Sequence, residues 1–353
     1  MTSFASLLLA AAATAAPDYG AILETQRHRQ DVVGVSATVV VGDDVVFAGG
    51  AGFRDLETRE PALADTAFYL GSISKVFTAV FALELAEDGR LALDEPLGFR
   101  QRGPGITPAE LLSHGSGLSR EGPWGYWFSA AFPTTTELVD YASDAELAFE
   151  PGSDMRYSNV AYAVLGYAAA QRVDLEFEAA LEQTIFEPLG MASTGARGPA
   201  PNVSRGYAPP GRLIPSDERP FAGVGANVGD RRLREYHDAL GMAPAFGAYS
   251  TASDMGRFLA FLLGSDDGRR VIERLLDVQA TGWGLGLEPD RVAGRDVGRH
   301  SGWFAAHRSL LLVDPETGIG VIVMANSDNA NTPAIAMALF RAALAARSTS
   351  GSP

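Results

Sequence analysis

Apolar residues recur with a strand-like period near both ends of the chain. The β-branched runs Val32–Val41 and Val45–Ala48 flank the polar turn Gly42–Asp44 and predict a β-hairpin. Later runs of the same extended character are Gly282–Leu287, Val297–Trp303, Ser309–Val313 and Gly320–Ala325. Because strands stand at both ends of the sequence, we expect the two ends to form one antiparallel sheet.

In several other segments the apolar residues recur with the period of an α-helix. An apolar stripe over residues 76–85 predicts a buried helix that begins near Ser72 and ends at Gly89, which supplies the C-terminal cap. Further helices are predicted over residues 19–30, 160–173 and 253–263. A terminal helix opens with Thr332 as N-cap and Pro333 as its first residue. The expected fold class is therefore α+β, with an antiparallel sheet flanked by helices.

The middle of the chain has a different character from its ends. Residues 91–244 hold helical segments separated by Gly and Pro, with few alternating β-branched runs. We therefore expect a discontinuous sheet-containing α/β domain, residues 18–90 and 245–347, and a mainly helical domain of residues 91–244 inserted into it. Within the insertion, Gly198–Gly229 shows too little periodicity for regular elements, so we expect a surface flap there.

The first residues leave two interpretations open. Phe4–Ala16 is apolar and Ala-rich and ends in small residues, which is typical of a secretory signal, yet no Lys or Arg precedes it. Residues 1–17 are either a signal segment of a periplasmic or secreted protein, or a packed N-terminal helix of a cytoplasmic one. No later run approaches the roughly 18 apolar residues that a membrane span requires.

The composition disfavours several kinds of binding partner and excludes cysteine-based chemistry. The 353 residues carry a formal charge of -15, which disfavours nucleic acid and anionic membrane surfaces, because both attract basic patches. The chain contains no cysteine, so disulfides, thiolate catalysis and Cys-based zinc sites are excluded. Its five histidines are scattered without metal-ligand spacing, and we therefore expect no metal and no other cofactor.

One polar pair stands at the start of the predicted buried helix, namely Ser72 and Lys75. Lys75 is the only lysine among the 28 basic residues. A buried lysine can lose its proton and act as a base, whereas a guanidinium cannot. Residues three apart are neighbours on one helix face, so we interpret Ser72 as a nucleophile that Lys75 activates. The alternative is a capping serine followed by a lysine by chance.

Tyr157 and Asn159 add groups that such a nucleophile needs. A phenol beside a lysine cation would have a lowered pKa, so Tyr157 is a candidate proton shuttle. Asn159 can hydrogen-bond both the lysine amine and a substrate carbonyl through its two-faced amide. Taken singly, a tyrosine before a helix is more often a packed core residue.

The segment His300–Trp303 lies in a predicted strand. Gly302 would let a substrate backbone approach the strand edge, and the Trp303 backbone N–H would pair with that of Ser72 as an oxyanion hole. Taken singly, His300 is more often an ordinary strand histidine that satisfies its own hydrogen bonds.

The order of these motifs resembles that of a known family. Ser72-x-x-Lys75, then Tyr157-Ser158-Asn159, then His300-Ser301-Gly302 resembles the signature of the class C β-lactamase-like serine hydrolases, which include D-alanyl-D-alanine carboxypeptidases and family VIII carboxylesterases. Framework segments that also resemble the family are residues 111–118, 186–191, 249–255 and 314–326. The resemblance implies a β-lactamase/transpeptidase-like fold with the site at the boundary of the two domains.

The resemblance also implies roles for single residues. Ser72 corresponds to the acylated nucleophile, Lys75 to its partner and Tyr157 to the general base. The substrate-binding positions are Asn159, His300, Ser301 and Gly302. Class C β-lactamases usually carry Lys at the position of His300, whereas the His form is seen among carboxypeptidases and esterases. A histidine attracts a substrate carboxylate more weakly, because it is neutral about as often as not near pH 7.

We therefore expect a metal-independent serine hydrolase that acts on small esters or amides, and within the family we favour a carboxylesterase. The aromatic residues that would line an apolar acyl pocket, or else pack in the core, are Trp124, Tyr126, Trp127, Phe128 and Trp303. One alternative is a D-amino-acid carboxypeptidase or penicillin-binding protein with weak β-lactamase activity. Another is a β-lactam or peptidoglycan sensor that is acylated without turnover. No G-x-S-x-G elbow occurs, which disfavours an α/β-hydrolase.

Overall fold

The computed structural model describes residues 16–211 and 224–350. Residues 1–15, which carry most of the candidate signal segment, lie outside the described residues. The strands are β1 (Gly34–Val41), β2 (Asp44–Asp55), β3 (Glu60–Pro61), β4 (Phe68–Tyr69), β5 (Gly206–Tyr207), β6 (Val224–Val228), β7 (Arg231–Arg234), β8 (Tyr249–Ser250), β9 (Glu288–Val292), β10 (Arg295–Phe304), β11 (His307–Asp314) and β12 (Ile319–Ala325). The helices are α1 (Tyr19–Gln30), α2 (Ser74–Glu87), α3 (Pro108–Leu112), α4 (Tyr126–Ser129), α5 (Thr135–Asp144), α6 (Asn159–Gln171), α7 (Phe177–Leu181), α8 (Ala243–Phe246), α9 (Ala252–Gly264), α10 (Asp266–Leu275) and α11 (Thr332–Ser350).

The two ends of the chain meet in one sheet, as the sequence predicts. Its seven strands lie in the order β3-β2-β1-β12-β11-β10-β9, and every neighbouring pair is antiparallel. The predicted hairpin forms β1 and β2, and β1 also pairs with β12, where Val35 lies opposite Ala325. The pairing of β9 with β10 ends at Arg299, so the second half of β10 forms an edge of the sheet.

Helices cover both faces of this sheet. Val39 and Val321 pack with Leu23 of α1 and Phe340 of α11 in one buried cluster. On the opposite face, Ile322 and neighbouring strand residues pack against α9 in a second, larger cluster. Because both faces are buried, β12 is a continuous apolar run. Strand β1 is equally buried but carries Ser36 and Thr38, whose hydroxyls donate hydrogen bonds to the Leu63 and Ala252 carbonyls.

Helix α2 lies between the sheet-containing part and the helices α6 and α8. It is apolar on all sides, and its residues from Ser74 to Leu83 are all buried, which is the pattern of a core helix. It ends as predicted, with Gly89 in the left-handed conformation at φ = 69°.

Among the described residues, no helix combines the length and the apolar character needed to cross a bilayer.

Two local predictions are wrong. Gly282–Leu287 is not a strand, because Gly282 and Gly286 adopt φ of 78° and 146° and the Gly284 N–H bonds the Leu287 carbonyl, which folds the segment into turns. The cap of α11 is Asn331 instead of Thr332, since Asn331 Oδ1 accepts a hydrogen bond from the Ala334 N–H at 3.1 Å.

The segment predicted to lack regular elements contains a small sheet of order β5-β7-β6. Residues 212–223, in the middle of that segment, lie outside the described residues. Tyr207 and Leu233 of the small sheet pack with Phe53 of β2 and with Val33, which directly precedes β1. We therefore propose that the helical insertion in residues 91–244 ends before β5, and that the small sheet belongs to the sheet-containing part.

Candidate active site

Two glycines bring strand β10 against the turn that carries Ser72. Gly71 has φ = 55° at the start of a 3₁₀ turn before α2, and a Cβ there would lie 2.7 Å from the Trp303 carbonyl carbon. On β10, a Cβ on Gly302 would overlap the Leu70 carbonyl oxygen. The sequence predicts that a substrate backbone approaches Gly302. In the structure, the backbone of Leu70 occupies the space beside Gly302. The result is close contact between the backbones next to Ser72 and Trp303.

Lys75 is completely buried behind the partly exposed Ser72. Its Nζ lies 3.3 Å from Ser72 Oγ and donates hydrogen bonds to Asn159 Oδ1 and to the Ala245 carbonyl oxygen, both at 2.7 Å. Burial lowers the pKa of Lys75 well below 10.5, although the Glu121 carboxylate opposes that shift. The amine is therefore a candidate neutral base beside a serine hydroxyl.

Tyr157 lies beside Lys75 in the same site. Lys75 Nζ is 4.9 Å from the Tyr157 ring centroid, and Tyr157 lines the same cleft as Ser72. The His114 ring packs on Tyr157 with the two centroids 4.2 Å apart. Burial raises the pKa of Tyr157 above 10.0, so the expectation of a lowered pKa is wrong. The loss of hydration outweighs the attraction to nearby positive charge, and the buried Lys75 holds its own charge poorly.

A hydrogen-bond chain continues from Asn159 away from Ser72. Asn159 Nδ2 donates to Glu121 Oε2 at 2.9 Å, and the buried Tyr126 hydroxyl donates to the same oxygen. Sequence reasoning missed Glu121, which belongs to none of the three motifs. The only available signal was its place three residues after the framework segment 111–118.

His300 is buried on β10 at the side of the site. Its Nδ1 lies 2.8 Å from the Ser301 carbonyl oxygen, which can only accept, so Nδ1 carries the proton. Among the described residues, Nε2 has no hydrogen-bond partner. Burial, and then the proximity of Lys75, lowers the pKa of His300 to about 3. At neutral pH the His300 ring is therefore uncharged, and its Nε2 can accept a hydrogen bond. The ring does not supply a positive charge at this position.

These groups surround an open cleft of about 720 Å³. The predicted site residues that line it are Ser72, Tyr157, Asn159, His300, Ser301, Gly302 and Trp303. Lys75 lies behind this surface. Lining residues that sequence reasoning missed include Arg120, Trp283, Glu288, Arg308 and Asp328. Within residues 16–211 and 224–350, no group of three or more His, Asp and Glu side chains is arranged to hold a metal ion.

The sequence profile of the β-lactamase family matches residues 20–346. The chain belongs to the β-lactamase family. Esterase EstB of Burkholderia gladioli is 27% identical over 359 residues, which cover 90% of this chain and 91% of the esterase. The D-alanyl-D-alanine-carboxypeptidase/endopeptidase AmpH of Escherichia coli K12 is 30% identical over 244 residues, which cover 66% of this chain and 58% of AmpH.

A solved structure extends the likeness to the fold. The D-amino acid amidase from Ochrobactrum anthropi SV3 superposes with a TM-score of 0.79 at 25% identity, covering 93% of this chain and 99% of the amidase. The predicted family and the β-lactamase/transpeptidase-like fold are thereby confirmed. The chain is a serine hydrolase of this family.

In this β-lactamase-family hydrolase, an apolar pocket of about 340 Å³ adjoins the cleft. Of the aromatic residues named from the sequence, those that line it are Tyr126, Trp127, Phe128 and Trp303. Trp124 packs elsewhere, with its ring 5.2 Å from that of Tyr141. These four aromatic residues come from α4 and from the end of β10, and Arg234, Glu235 and His237 also line the pocket.

Trp127 and Trp303 line both the cleft and the apolar pocket, and their ring centroids are 5.2 Å apart. The Trp303 indole Nε1 donates a hydrogen bond to Asp328 Oδ1 at 2.6 Å. That bond fixes the indole in its place, so the two tryptophans form the wall between the two cavities.

Proposed function

We propose that this serine hydrolase is a carboxylesterase that forms an acyl-enzyme on Ser72 with small-molecule esters and releases the acid to water. Ser72 is the nucleophile, Lys75 the base and Tyr157 the proton shuttle. The backbone N–H groups of Ser72 and Trp303 stabilise the oxyanion. The remaining substrate-binding residues are Asn159, His300, Ser301 and Gly302.

The hydrogen bonds around Lys75 support its role as base. A neutral amine has two N–H groups and one lone pair, and both the Asn159 Oδ1 and the Ala245 carbonyl are acceptors. The two N–H groups are directed to these oxygens at 2.7 Å. The lone pair is then left for the third neighbour, Ser72 Oγ at 3.3 Å, whose hydroxyl proton it can take.

The reaction proceeds in two halves. Ser72 Oγ bonds to the ester carbonyl carbon while its proton passes to Lys75 Nζ. The tetrahedral intermediate collapses, the bond to the alcohol oxygen breaks, and that oxygen takes the proton of the Tyr157 hydroxyl, which Lys75 then replaces. Water next adds to the acyl carbon and gives a proton to Lys75. Ser72 Oγ leaves and regains that proton, so the acid is released and the site is restored.

The neutral state of His300 is the observation that favours an ester over a carboxylate-bearing substrate. A buried imidazole with a pKa of about 3 offers no charge to a substrate carboxylate at pH 7. The adjoining apolar pocket suits an uncharged acyl or alcohol group. The likeness to an esterase over nine tenths of both chains agrees with this substrate class.

The direct test is hydrolysis of short p-nitrophenyl esters by the full chain and by Ser72→Ala. We expect turnover by the unchanged chain, loss of essentially all activity in the variant, and a transient acyl adduct on Ser72 in intact-mass spectra. Retained hydrolysis in Ser72→Ala would contradict the proposal.

The cleft also supports a second candidate, hydrolysis of D-amino-acid amides or peptides. Arg120 and Glu288 both line the cleft and carry opposite charges that can pair with the termini of such a substrate. The names of the amidase and of AmpH agree with this class. A panel of an ester, a D-amino-acid amide, a D-Ala-D-Ala peptide and a cephalosporin discriminates between the candidates by their kcat/KM. A stable penicillin adduct without turnover would instead favour the sensor.

A further inference from the structure

We infer that Glu121 is a positioning residue for this reaction, because it fixes the Asn159 amide with Oδ1, and not the amide nitrogen, facing Lys75. The inference rests on the proposed Ser72 acyl-enzyme mechanism. It concerns a residue outside the three motifs that touches no reacting atom.

The orientation of Asn159 follows from what its neighbours can donate and accept. A carboxylate only accepts hydrogen bonds, so the Asn159 NH₂ group must face Glu121 Oε2, 2.9 Å away. The amide oxygen is then left for Lys75 Nζ at 2.7 Å. If the amide were reversed, its oxygen would face the carboxylate and its NH₂ group would face the Lys75 amine. The first contact would be repulsive, because it would place two acceptors against each other, and the second would occupy the lone pair of the neutral amine.

Glu121 is itself held by two other donors. The Tyr126 hydroxyl donates to Oε2, and Arg120 Nε donates to Oε1 at 3.0 Å. Tyr126 is buried, and burial together with the adjacent carboxylate raises its pKa above 10.0, so it remains a donor. With an exposed fraction of 23%, the Glu121 side chain has donors on both oxygens and cannot turn without breaking one of these bonds.

The orientation of the Asn159 amide determines where the lone pair of the Lys75 amine points. Only when Asn159 presents its oxygen can Lys75 direct one N–H there and the other to the Ala245 carbonyl, which leaves the lone pair for Ser72 Oγ. If Asn159 presented its NH₂ group, that group would compete with the serine hydroxyl for the same lone pair. Glu121 therefore directs the base toward the nucleophile.

Glu121 also acts on Lys75 through its charge, which provides a second readout. It is the anion that favours the ammonium form of Lys75, while Arg120 opposes that form. The titratable side chains packed around Lys75 are otherwise Tyr157, Tyr162, His114 and His300, and burial favours the neutral form of each. Removal of the charge at Glu121 should therefore make Lys75 easier to deprotonate.

Two substitutions separate geometry from charge, with steady-state kinetics of a p-nitrophenyl ester as the assay. In Glu121→Gln the amide oxygen can still accept from Asn159 and Tyr126, so we expect kcat within about threefold of the unchanged chain and the acid limb of the kcat/KM profile at lower pH. In Glu121→Ala the acceptor that holds the Asn159 NH₂ group is lost, and we expect kcat to fall about 10- to 100-fold with little change in KM.

The control is Glu178→Gln, which removes the charge of a partly buried glutamate that is paired with Arg197. It should leave both kcat and the pH profile unchanged. An unchanged kcat in Glu121→Ala, or an acid limb in Glu121→Gln that coincides with that of the unchanged chain, would overturn the inference. Ser72→Ala, measured in the same series, tests the mechanism separately: if it stays active, the proposed function fails, whatever the Glu121 variants show.

Discussion

Gly71 and Trp303 are packed so closely that no side chain fits on Gly71. A Cβ at this position would lie 2.7 Å from both the carbonyl carbon and the carbonyl oxygen of Trp303. The contact joins the turn before α2 to strand β10, and these two segments carry the N–H groups of the proposed oxyanion hole. The spacing of the two donors therefore depends on a residue that has no side chain of its own.

Gly71→Ala should impair both catalysis and stability. The added methyl group pushes β10 away from Ser72, and we expect kcat/KM to fall about 100-fold, as when an oxyanion-hole donor is lost. The cost of φ = 55° for alanine adds about 1–2 kcal/mol of destabilisation. Ester kinetics and urea unfolding measure the two effects.

The matched control is Gly89→Ala. Gly89 has a similar φ of 69°, but nothing lies within 4 Å of a Cβ built there. This variant should lose only the cost of its positive φ, about 1–2 kcal/mol, and keep its kcat/KM. If the two variants lost activity equally, the close contact with Trp303 would have no special importance.

Lys75→Arg should remove nearly all activity, by about 10²- to 10⁴-fold in kcat, because a guanidinium keeps its proton and cannot serve as a base. In the unchanged chain, the base works only when deprotonated, so kcat/KM should fall as the pH drops below the Lys75 pKa. Since burial places that pKa well below 10.5, the acid limb should lie far to the acid side of an ordinary lysine. A pH profile with its midpoint near 10.5 would contradict the assignment.

Trp303→Ala should change the preference for acyl chain length. Loss of the indole opens the wall between the cleft of about 720 Å³ and the apolar pocket of about 340 Å³. We expect the ratio of kcat/KM for p-nitrophenyl octanoate to that for the acetate to rise about tenfold, since buried CH₂ groups contribute about 0.8 kcal/mol each. Trp124→Ala, which removes an aromatic residue that does not line the pocket, should leave the ratio unchanged.

Folding stability should fall as the pH drops from about 7 towards 4. Burial lowers the pKa of His300 to about 3 and that of His307 to about 4 in the folded chain, against 6.5 for an ordinary histidine. Below 6.5 the unfolded chain therefore binds protons that the folded chain does not, and the free energy of unfolding decreases by up to about 1.4 kcal/mol per pH unit for each histidine. Urea unfolding from pH 4.5 to 7.5 measures the slope.

His307→Asn should reduce this slope relative to the unchanged chain. His28→Asn is the control, because the side chain of His28 is 69% exposed. Equal slopes in all three proteins would show that the buried histidine does not govern the acid response.

The sequence is sufficient to predict the contacts that depend on local spacing. Ser72 and Lys75 are neighbours because a helical turn brings residues three apart together, and the β1–β2 hairpin follows from two β-branched runs around a polar turn. Gly282–Leu287 has the composition of a strand, because it is apolar, but its glycines adopt positive φ angles that only the structure shows.

The remaining features depend on contacts between distant segments. Glu121 and Asn159 are 38 positions apart and come together only when the loop before α4 packs on α6. The direction of the Tyr157 pKa shift cannot be predicted without knowing how deeply the side chain is buried. Desolvation raises this pKa and a nearby cation lowers it, and only the fold determines which effect is larger.

The burial of the only lysine has a practical consequence for the chemistry of this protein in solution. No other side-chain amine exists in the chain, and this one is shielded by the fold. Reagents that acylate amines should therefore leave Lys75 unmodified in the native protein and label it once the surrounding helices separate. The rate of that labelling would report the opening of the active site directly, without an introduced probe.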